Sequence, residues 1–177
     1  MSIRIEEISP HNQQDLNRIN STFTIDSVLD IAATGFGNKL CFISVPPYEK
    51  HYPPDTFDVP AYIGSRDRVI YLAYMDGRIA GQIVVKRNWN RLALVEDIAV
   101  DRSMFRLRIG TALMDRAAKW SRDNGFPAMM LETQDTNAGA CRFYRAYGFK
   151  IGGYDRYLYS ASPAYRHETA VFWYYFL

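Results

Sequence analysis

The feature that most constrains the fold of this sequence is a change of hydrophobic period at about residue 109. Residues Ala93 to Val100 alternate between two faces, as expected of a strand. From Ile109 to Trp120 apolar residues instead recur at spacings of three and four, which indicates an amphipathic helix. Asn124-Gly125 is a typical helix terminator. Residues 93–125 are therefore predicted to form a strand–loop–helix unit.

Further elements on both sides extend this pattern. A tight hairpin is expected at Asp76-Gly77, the dipeptide favoured in type I′ turns, because it lies between two apolar runs. Downstream, the patterns predict a strand, a helix that ends at Gly148, and two aromatic closing strands. The ranges are Val69–Met75 and Ile79–Val85 for the hairpin, Ala128–Thr133 for the strand, Asn137–Tyr147 for the helix, and Tyr154–Tyr159 and Ala170–Leu177 for the closing strands. This order predicts a mixed α/β sheet with a parallel centre.

The first 60 residues are harder to interpret, because five prolines interrupt any long element between Pro46 and Pro60. We expect a short strand, a helical stretch near Asn12 to Asn20, and a long irregular connection. With 177 residues and 48% hydrophobic composition, the chain is expected to form one domain over residues 1–177.

Composition narrows the function classes. No apolar run approaches the roughly 18 residues of a membrane span, and the first residues lack the apolar core of a signal peptide, so we expect a cytoplasmic protein. A net charge of +2 with no extended basic face argues against nucleic-acid binding. Cys41 and Cys141 form no spaced cluster with each other or with the three histidines, so we expect no metal site and reduced cysteines.

A basic loop, Asp101 to Arg108, joins the strand to the helix that begins at Ile109. A strand, a basic loop and a helix start direct free N–H groups and the positive end of the helix dipole at an anion, for which a pyrophosphate is the best candidate. Taken alone, the same loop is also compatible with a basic surface segment that caps a helix.

The segment Asn137 to Phe149 carries the specific signal. Its asparagine, alanine, tyrosine and glycine-phenylalanine resemble the signature of the Gcn5-related N-acetyltransferase (GNAT) superfamily. Further strings, taken in order, are similar to the streptothricin (nourseothricin) acetyltransferases over about Val69 to Leu177; they are Asn88–Arg91, Val95–Val100, Leu131–Asn137, Gly152–Asp155 and Glu168–Tyr174. The resemblance implies an α/β (α+β) single domain with a mixed sheet of about six to seven strands and helices on both faces.

The resemblance also implies an activity and a set of site residues. It predicts acetyl transfer from acetyl-coenzyme A (acetyl-CoA) to a small-molecule amine. The best candidate for this amine is the β-lysine amine of a streptothricin antibiotic. Glu96 would act as general base and Tyr144 as the acid that protonates the departing thiolate. Strict alternation places Asp97 on the strand face opposite Glu96. The cofactor-binding candidates are Ile98, Ala99, Val100, Arg106, Leu107, Arg108, Ile109, Gly110, Thr111, Asn137, Ala140 and Tyr144, and the acids expected to attract a cationic acceptor are Asp97, Glu132, Asp135 and Asp155.

Two departures from the family pattern leave alternatives open. Where the loop usually reads Arg/Gln-Gly-x-Gly-x-Gly/Ala, this chain has Phe105 first and Arg108 at the central glycine, so Arg108 either adopts an allowed conformation or distorts the loop. Few acids follow Tyr48, a region that is acidic in several streptothricin enzymes. The alternatives are therefore acetylation of a protein lysine, of an amino terminus or of another amine, and a non-catalytic sensor that binds acyl-CoA. The resemblance also implies a homodimer, the state that is common among relatives.

Overall fold

A computed structural model describes residues 2–177 and contains nine strands, seven of them in one sheet, and three α-helices. Contacts divide the described residues into two compact units: the first holds residues 2–22, 51–129 and 177, and the second holds 23–50 and 130–176. The strands are β1 Ile3–Glu7, β2 Phe23–Leu29, β3 Phe42–Lys50, β4 Arg68–Met75, β5 Arg78–Arg87, β6 Ala93–Val100, β7 Ala128–Gln134, β8 Lys150–Asp155 and β9 Ala170–Phe176. The helices are α1 Ile31–Thr34, α2 Ile109–Asp123 and α3 Ala138–Tyr147.

The first unit is built on four antiparallel strands in the order β1-β4-β5-β6. The hairpin between β4 and β5 confirms the predicted turn, because Asp76 and Gly77 both have positive φ (49° and 79°), as a type I′ turn requires. One face of this sheet contributes Ile70, Leu72 and Val84 to a buried apolar cluster. The predicted strand at Ala93–Val100 and the predicted helix from Ile109 are also confirmed.

A β-bulge in β6 changes which side chains share a face. Val84 pairs with Asp97 and Val85 pairs with Val95, so Glu96 is an extra residue on β6. Glu96 contacts Lys86 and Asp97 contacts Gln82, and these two partners lie on one face of β5, since they are four residues apart on a strand that alternates. The expectation that Glu96 and Asp97 point to opposite faces was therefore wrong, because the extra residue breaks the alternation on which it rested.

Helix α2 packs on the other face of β5 at Gly81. A Cβ atom at this position would lie 2.8 Å from the carbonyl oxygen of Ala99, 3.0 Å from Leu113 Cδ1 and 3.1 Å from Ile109 Cγ2. Glycine thus permits the close approach of the helix to the sheet. The side chains of Ile98 and Val100 lie on this same face, because they pair with Ile83 and Gly81.

We expect Gly81→Ala to destabilise the protein by about 1–3 kcal/mol, because the added methyl group meets a backbone oxygen that cannot move without disturbing the β5–β6 ladder. Urea unfolding followed by circular dichroism measures this. Gly139→Ala is the matched control, since its Cβ would meet only Asn137 Oδ1 at 3.9 Å and alanine is the better helix former. Equal stability of the two variants would contradict the packing argument.

The second unit contains the strand order β7-β9-β8, the separate β2–β3 hairpin and α3. An aromatic cluster joins α3 to β9: Tyr144 lies 6.0 Å from Trp173, and Tyr147 lies 5.3 Å from Tyr175, between ring centroids. Gly148 ends α3 with a φ of 115°, as predicted for its terminator.

Three of the sequence predictions were wrong, and the first of them concerns the first unit. The helical stretch near Asn12–Asn20 is only a 3-10 helix at Gln13–Asp15, and the irregular connection that we expected contains β2, α1 and β3. The strand expected at Tyr154–Tyr159 is instead β8, Lys150–Asp155, which ends where the other strand was expected to begin. Pro46 and Pro47 concealed β3, because proline is excluded from central strands but is tolerated in this two-stranded hairpin, next to an irregularity in the pairing.

No helix among residues 2–177 is both long enough and apolar enough to cross a membrane. The expectation of one domain over the whole chain remains a prediction.

Candidate active site

The start of α2 forms an anion-binding element in the first unit. The first backbone bond that closes onto the helix runs from Ala112 N–H to the Arg108 carbonyl, 3.0 Å. The N–H groups of Ile109, Gly110 and Thr111 have no acceptor among the described residues, and no side chain caps this end. Free donors at the positive end of a helix of 15 residues fit a phosphate group, as the sequence predicted for this loop.

Two arginines in the loop before α2 adopt left-handed backbone conformations. Arg106 has a φ of 65°, and Arg108 has a φ of 62° with a ψ of 14°. Arg108 therefore adopts a left-handed conformation that glycine adopts without strain. For an L-residue with a long side chain this conformation costs about 1–2 kcal/mol. Both side chains are exposed.

Glu96 and Asp97 have different partners on their common face. Glu96 Oε2 accepts a hydrogen bond of 2.8 Å from the Tyr62 hydroxyl, and Oε1 pairs with Lys86. Asp97 Oδ2 accepts a bond of 2.7 Å from Gln82 Nε2. Burial raises the pKa of Asp97 above its usual range, although the bond from Gln82 opposes this shift. Both carboxylates are thus already hydrogen-bonded within the first unit.

In the second unit, Asn137 begins α3 and Tyr144 lies two turns later. Asn137 Oδ1 accepts a bond of 3.1 Å from Ala140 N–H and so acts as the N-cap of the helix. Tyr144 is buried, with its ring against Phe143, Phe149 and Trp173. The helix therefore fixes two of the predicted site residues, together with Ala140, on one rigid element.

Glu132, on β7, is the acid whose environment is most unusual. Its Oε1 atom is buried and has no hydrogen-bond partner among the described residues. Burial without a compensating charge raises the pKa of this carboxyl to about 7. A carboxyl that titrates near neutral pH can exchange a proton during turnover.

The carboxylates of Asp135 and Asp155 accept hydrogen bonds from backbone N–H groups. Asp135 Oδ1 accepts a bond of 3.0 Å from Thr169 N–H, and burial raises the pKa of Asp135. Asp155 Oδ1 accepts a bond of 2.7 Å from Tyr157 N–H. Neither role was identified from the sequence; the partner of Asp135 is 34 residues away, whereas that of Asp155 is only two residues away.

Sequence reasoning also missed a buried ion pair in the second unit. Lys50, the last residue of β3, pairs with Glu168, and Thr136 bonds to both, at 3.5 Å from Lys50 Nζ and 3.2 Å from Glu168 Oε1. The side chains are only 11% and 1% exposed. Thr136 directly precedes Asn137, so the pair supports the turn from which α3 starts.

Comparisons with known proteins agree with this fold. The model of the Acetyltransferase (GNAT) family matches residues 38–149. The chain is similar to streptothricin acetyltransferase A of Bacillus subtilis (strain 168), with 37% identity over 165 residues, 93% of this chain and 94% of that protein. A Bacillus anthracis protein crystallised with acetyl coenzyme A has a TM-score of 0.88 and 33% identity, covering 100% of this chain and 99% of that one. Nourseothricin acetyltransferase has a TM-score of 0.81 and 32% identity, covering 98% of both chains.

Fold, loop and comparisons together define an α/β acyl-group transferase. The chain belongs to the acetyltransferase (GNAT) family. This confirms the predicted family, the mixed α/β fold, the enzyme class and acetyl-CoA as the cosubstrate.

Proposed function

We propose that this enzyme acetylates an amine of streptothricin-type antibiotics, the β-lysine amine being the expected acceptor, and thereby confers resistance. The observation that carries the proposal is the 37% identity to a streptothricin acetyltransferase over 93% of this chain. The proposal is consistent with the fold of nourseothricin acetyltransferase, which covers nearly the same length.

Release of free coenzyme A tests the acceptor directly. The purified enzyme and acetyl-CoA would be mixed with streptothricin, with an aminoglycoside, or with lysine-containing and free-amino-terminal peptides, and the thiol followed with a chromogenic disulfide. We expect turnover with streptothricin and none with the peptides. Expression in a streptothricin-sensitive strain should raise the inhibitory concentration of the antibiotic. Turnover with peptides alone would replace this proposal with protein acetylation.

In the proposed reaction the amine nitrogen attacks the acetyl carbon, the carbon–sulfur bond breaks, and the amine and thiolate exchange protons with the protein. Acetyl-CoA supplies the activated thioester when it is bound. Tyr144 donates a proton to the departing sulfur, and the backbone N–H near Ile98 polarises the thioester carbonyl. Asn137 donates from Nδ2 to the pantetheine arm, since Ala140 N–H already occupies its Oδ1. Ile109, Gly110 and Thr111 offer N–H groups to the pyrophosphate.

Two carboxyls are candidates to accept the proton of the amine. Glu96 is the residue implied by the family resemblance, but its two oxygens are engaged by Tyr62 and Lys86. Glu132 has a free buried oxygen and a pKa raised to about 7. A base is most effective when its pKa lies near the working pH, so the electrostatics favour Glu132. The same carboxylate, together with Asp97, Asp135 and Asp155, would attract a cationic acceptor.

Glu132→Gln is expected to remove the acidic limb of the pH dependence of kcat/KM that the wild type shows near pH 7, because the carboxyl that must lose its proton is gone. The folded pKa lies above the unfolded value of 4.5, so the contribution of this carboxyl to stability is complete below pH 4.5 and is lost as the pH rises through 7. Glu132→Gln should therefore be more stable than the wild type at pH 8 and not at pH 4. Stopped-time assays and thermal melts across this range measure both effects.

Glu96→Gln is the matched variant for this experiment. If Glu132 is the proton acceptor, Glu96→Gln should keep the acidic limb of the pH dependence of kcat/KM near pH 7. Loss of that limb in Glu96→Gln and its retention in Glu132→Gln would return the role to Glu96.

We further propose that the enzyme works in the cytoplasm, where acetyl-CoA is made, and that it forms a homodimer. Light scattering coupled to size-exclusion chromatography tests the oligomeric state, and a mass of one chain would reject the dimer.

A further inference from the structure

The ion pair between Lys86 and Glu96 places an amine of the protein itself against a candidate general base. Lys86 Nζ contacts Glu96 Oε1, and the Tyr62 hydroxyl donates to Glu96 Oε2 at 2.8 Å. The side chain of Lys86 is 39% exposed and that of Glu96 is 18% exposed, so solvent reaches the pair. An acceptor amine needs the same kind of contact, because its ammonium must lose a proton before the nitrogen can attack a thioester.

The β-bulge in β6 produces this contact. Lys86 pairs across the sheet with Leu94, and the extra residue on β6 turns Glu96 to the face that carries Lys86. Ile98, whose N–H is proposed to polarise the thioester carbonyl, lies two residues farther along β6, a separation of about 7 Å at the rise of a strand. The flexible four-carbon side chain of lysine can cover this separation by changing rotamers. Lys86 Nζ can therefore reach an acetyl group held at Ile98.

The other four lysines of the chain have different surroundings. Lys50 is buried in its ion pair in the second unit. Lys119 lies on α2, which packs on the opposite face of β5. Lys39 and Lys150 are exposed residues of the second unit. Lys86 is thus the lysine that contacts the candidate base.

We propose that the enzyme acetylates its own Lys86 when acetyl-CoA is bound and no acceptor amine is present. The inference goes beyond transfer to an antibiotic and does not depend on the identity of the external acceptor. Lys86 Nζ gives one proton to Glu96 and attacks the acetyl carbon, and the carbon–sulfur bond breaks. A second proton leaves the nitrogen, one is taken up by the departing sulfur, and Glu96 releases its proton to water. The products are Nε-acetyllysine at position 86, free coenzyme A and one proton.

Incubation of the purified enzyme with acetyl-CoA alone tests this proposal. Mass spectrometry of the intact protein should show the addition of one acetyl group per chain, and peptide mapping should place it at Lys86. The fraction modified at a given time should not depend on the enzyme concentration, because the reaction is intramolecular. Labelling with acetic anhydride, which needs no active site, should instead favour the exposed Lys39, Lys119 and Lys150.

Three variants make the result specific. Lys86→Arg keeps a positive charge beside Glu96 but has a guanidinium that is always protonated, so acetyl incorporation at this position should be lost. Lys119→Arg is the matched control and should be labelled as the wild type is, since its ion pair with Asp123 is exposed. Glu96→Gln keeps the lysine but removes the proton acceptor, and should slow the labelling of Lys86 by about 10²-fold.

Each outcome decides the proposal. Labelling of Lys86 that is equally fast in Glu96→Gln, or in enzyme unfolded with urea, would be ordinary chemical acetylation and would overturn it. An unmodified Lys86 would also overturn it, as would a modified fraction that rises with enzyme concentration. Turnover with streptothricin and an unmodified Lys86 rejects self-acetylation alone, whereas a labelled Lys86 without that turnover rejects only the proposed acceptor.

Discussion

Tyr144→Phe is expected to lower kcat by about 10²–10⁴-fold while the dissociation constant of acetyl-CoA changes little. The phenol would be the proton donor to the departing sulfur, so its loss acts on the transition state and not on cofactor binding. The phenyl ring still fills the same buried space between Phe149 and Trp173, so the fold should be retained. Single-turnover kinetics, in which the chemical step is observed directly, give the required rate.

Tyr147→Phe is the control for this prediction. It removes the hydroxyl of another tyrosine on α3, whose ring packs against Phe149 and Tyr175, and should leave kcat unaltered. If Tyr144→Phe turned over as fast as the wild type in the chemical step, Tyr144 would not be the proton donor.

Lys50→Met is expected to lower the free energy of unfolding by about 3–5 kcal/mol, the largest stability change that we predict. The substitution keeps the apolar length of the side chain but removes the ammonium group that pairs with the carboxylate of Glu168, which is only 1% exposed. Burial already lowers the pKa of Lys50 to about 8, so the pair lies in a poorly solvated environment where a lone charge is costly. Urea unfolding at pH 7 measures the change.

Two further variants test whether loss of the charge pairing causes this decrease in the free energy of unfolding. The double substitution Lys50→Met/Glu168→Gln should recover much of the lost stability, because it removes both charges of the pair. Lys119→Met breaks the exposed pair with Asp123 on α2, where the side chains are 64% and 55% exposed, and should cost no more than about 0.5 kcal/mol. A double variant as unstable as Lys50→Met would show that shape, not charge, governs this site.

The sequence predicted those parts of the fold that are governed by local patterns. The Asp76-Gly77 turn, α2 and α3 were predicted correctly, because turn chemistry, helical periodicity and terminating glycines all act over a few residues. The β2–β3 hairpin was missed because prolines are local signals against a strand, whereas its pairing is a tertiary outcome.

Prediction of the candidate site failed where geometry depends on distant residues. No pattern in Val95–Val100 indicates that Glu96 is the bulged residue, since the bulge is defined only by the pairing with β5. The partners of Lys50 are 86 residues away at Thr136 and beyond, so nothing near Lys50 identifies it as buried. The unusual environment of Glu132 likewise follows from what covers β7, and the acid itself looks ordinary in the sequence.

The second unit is assembled from residues 23–50 and 130–176, so β2 and β3 leave the ribosome long before their remaining contacts exist. During that interval an isolated hairpin is marginally stable, and its open edge could recruit another nascent chain. Pro46 and Pro47 interrupt the backbone donors of β3 just where Ile43 and Tyr48 are exposed. The proline pair that obscures the strand in the sequence should thus also protect the unfinished polypeptide from aggregation.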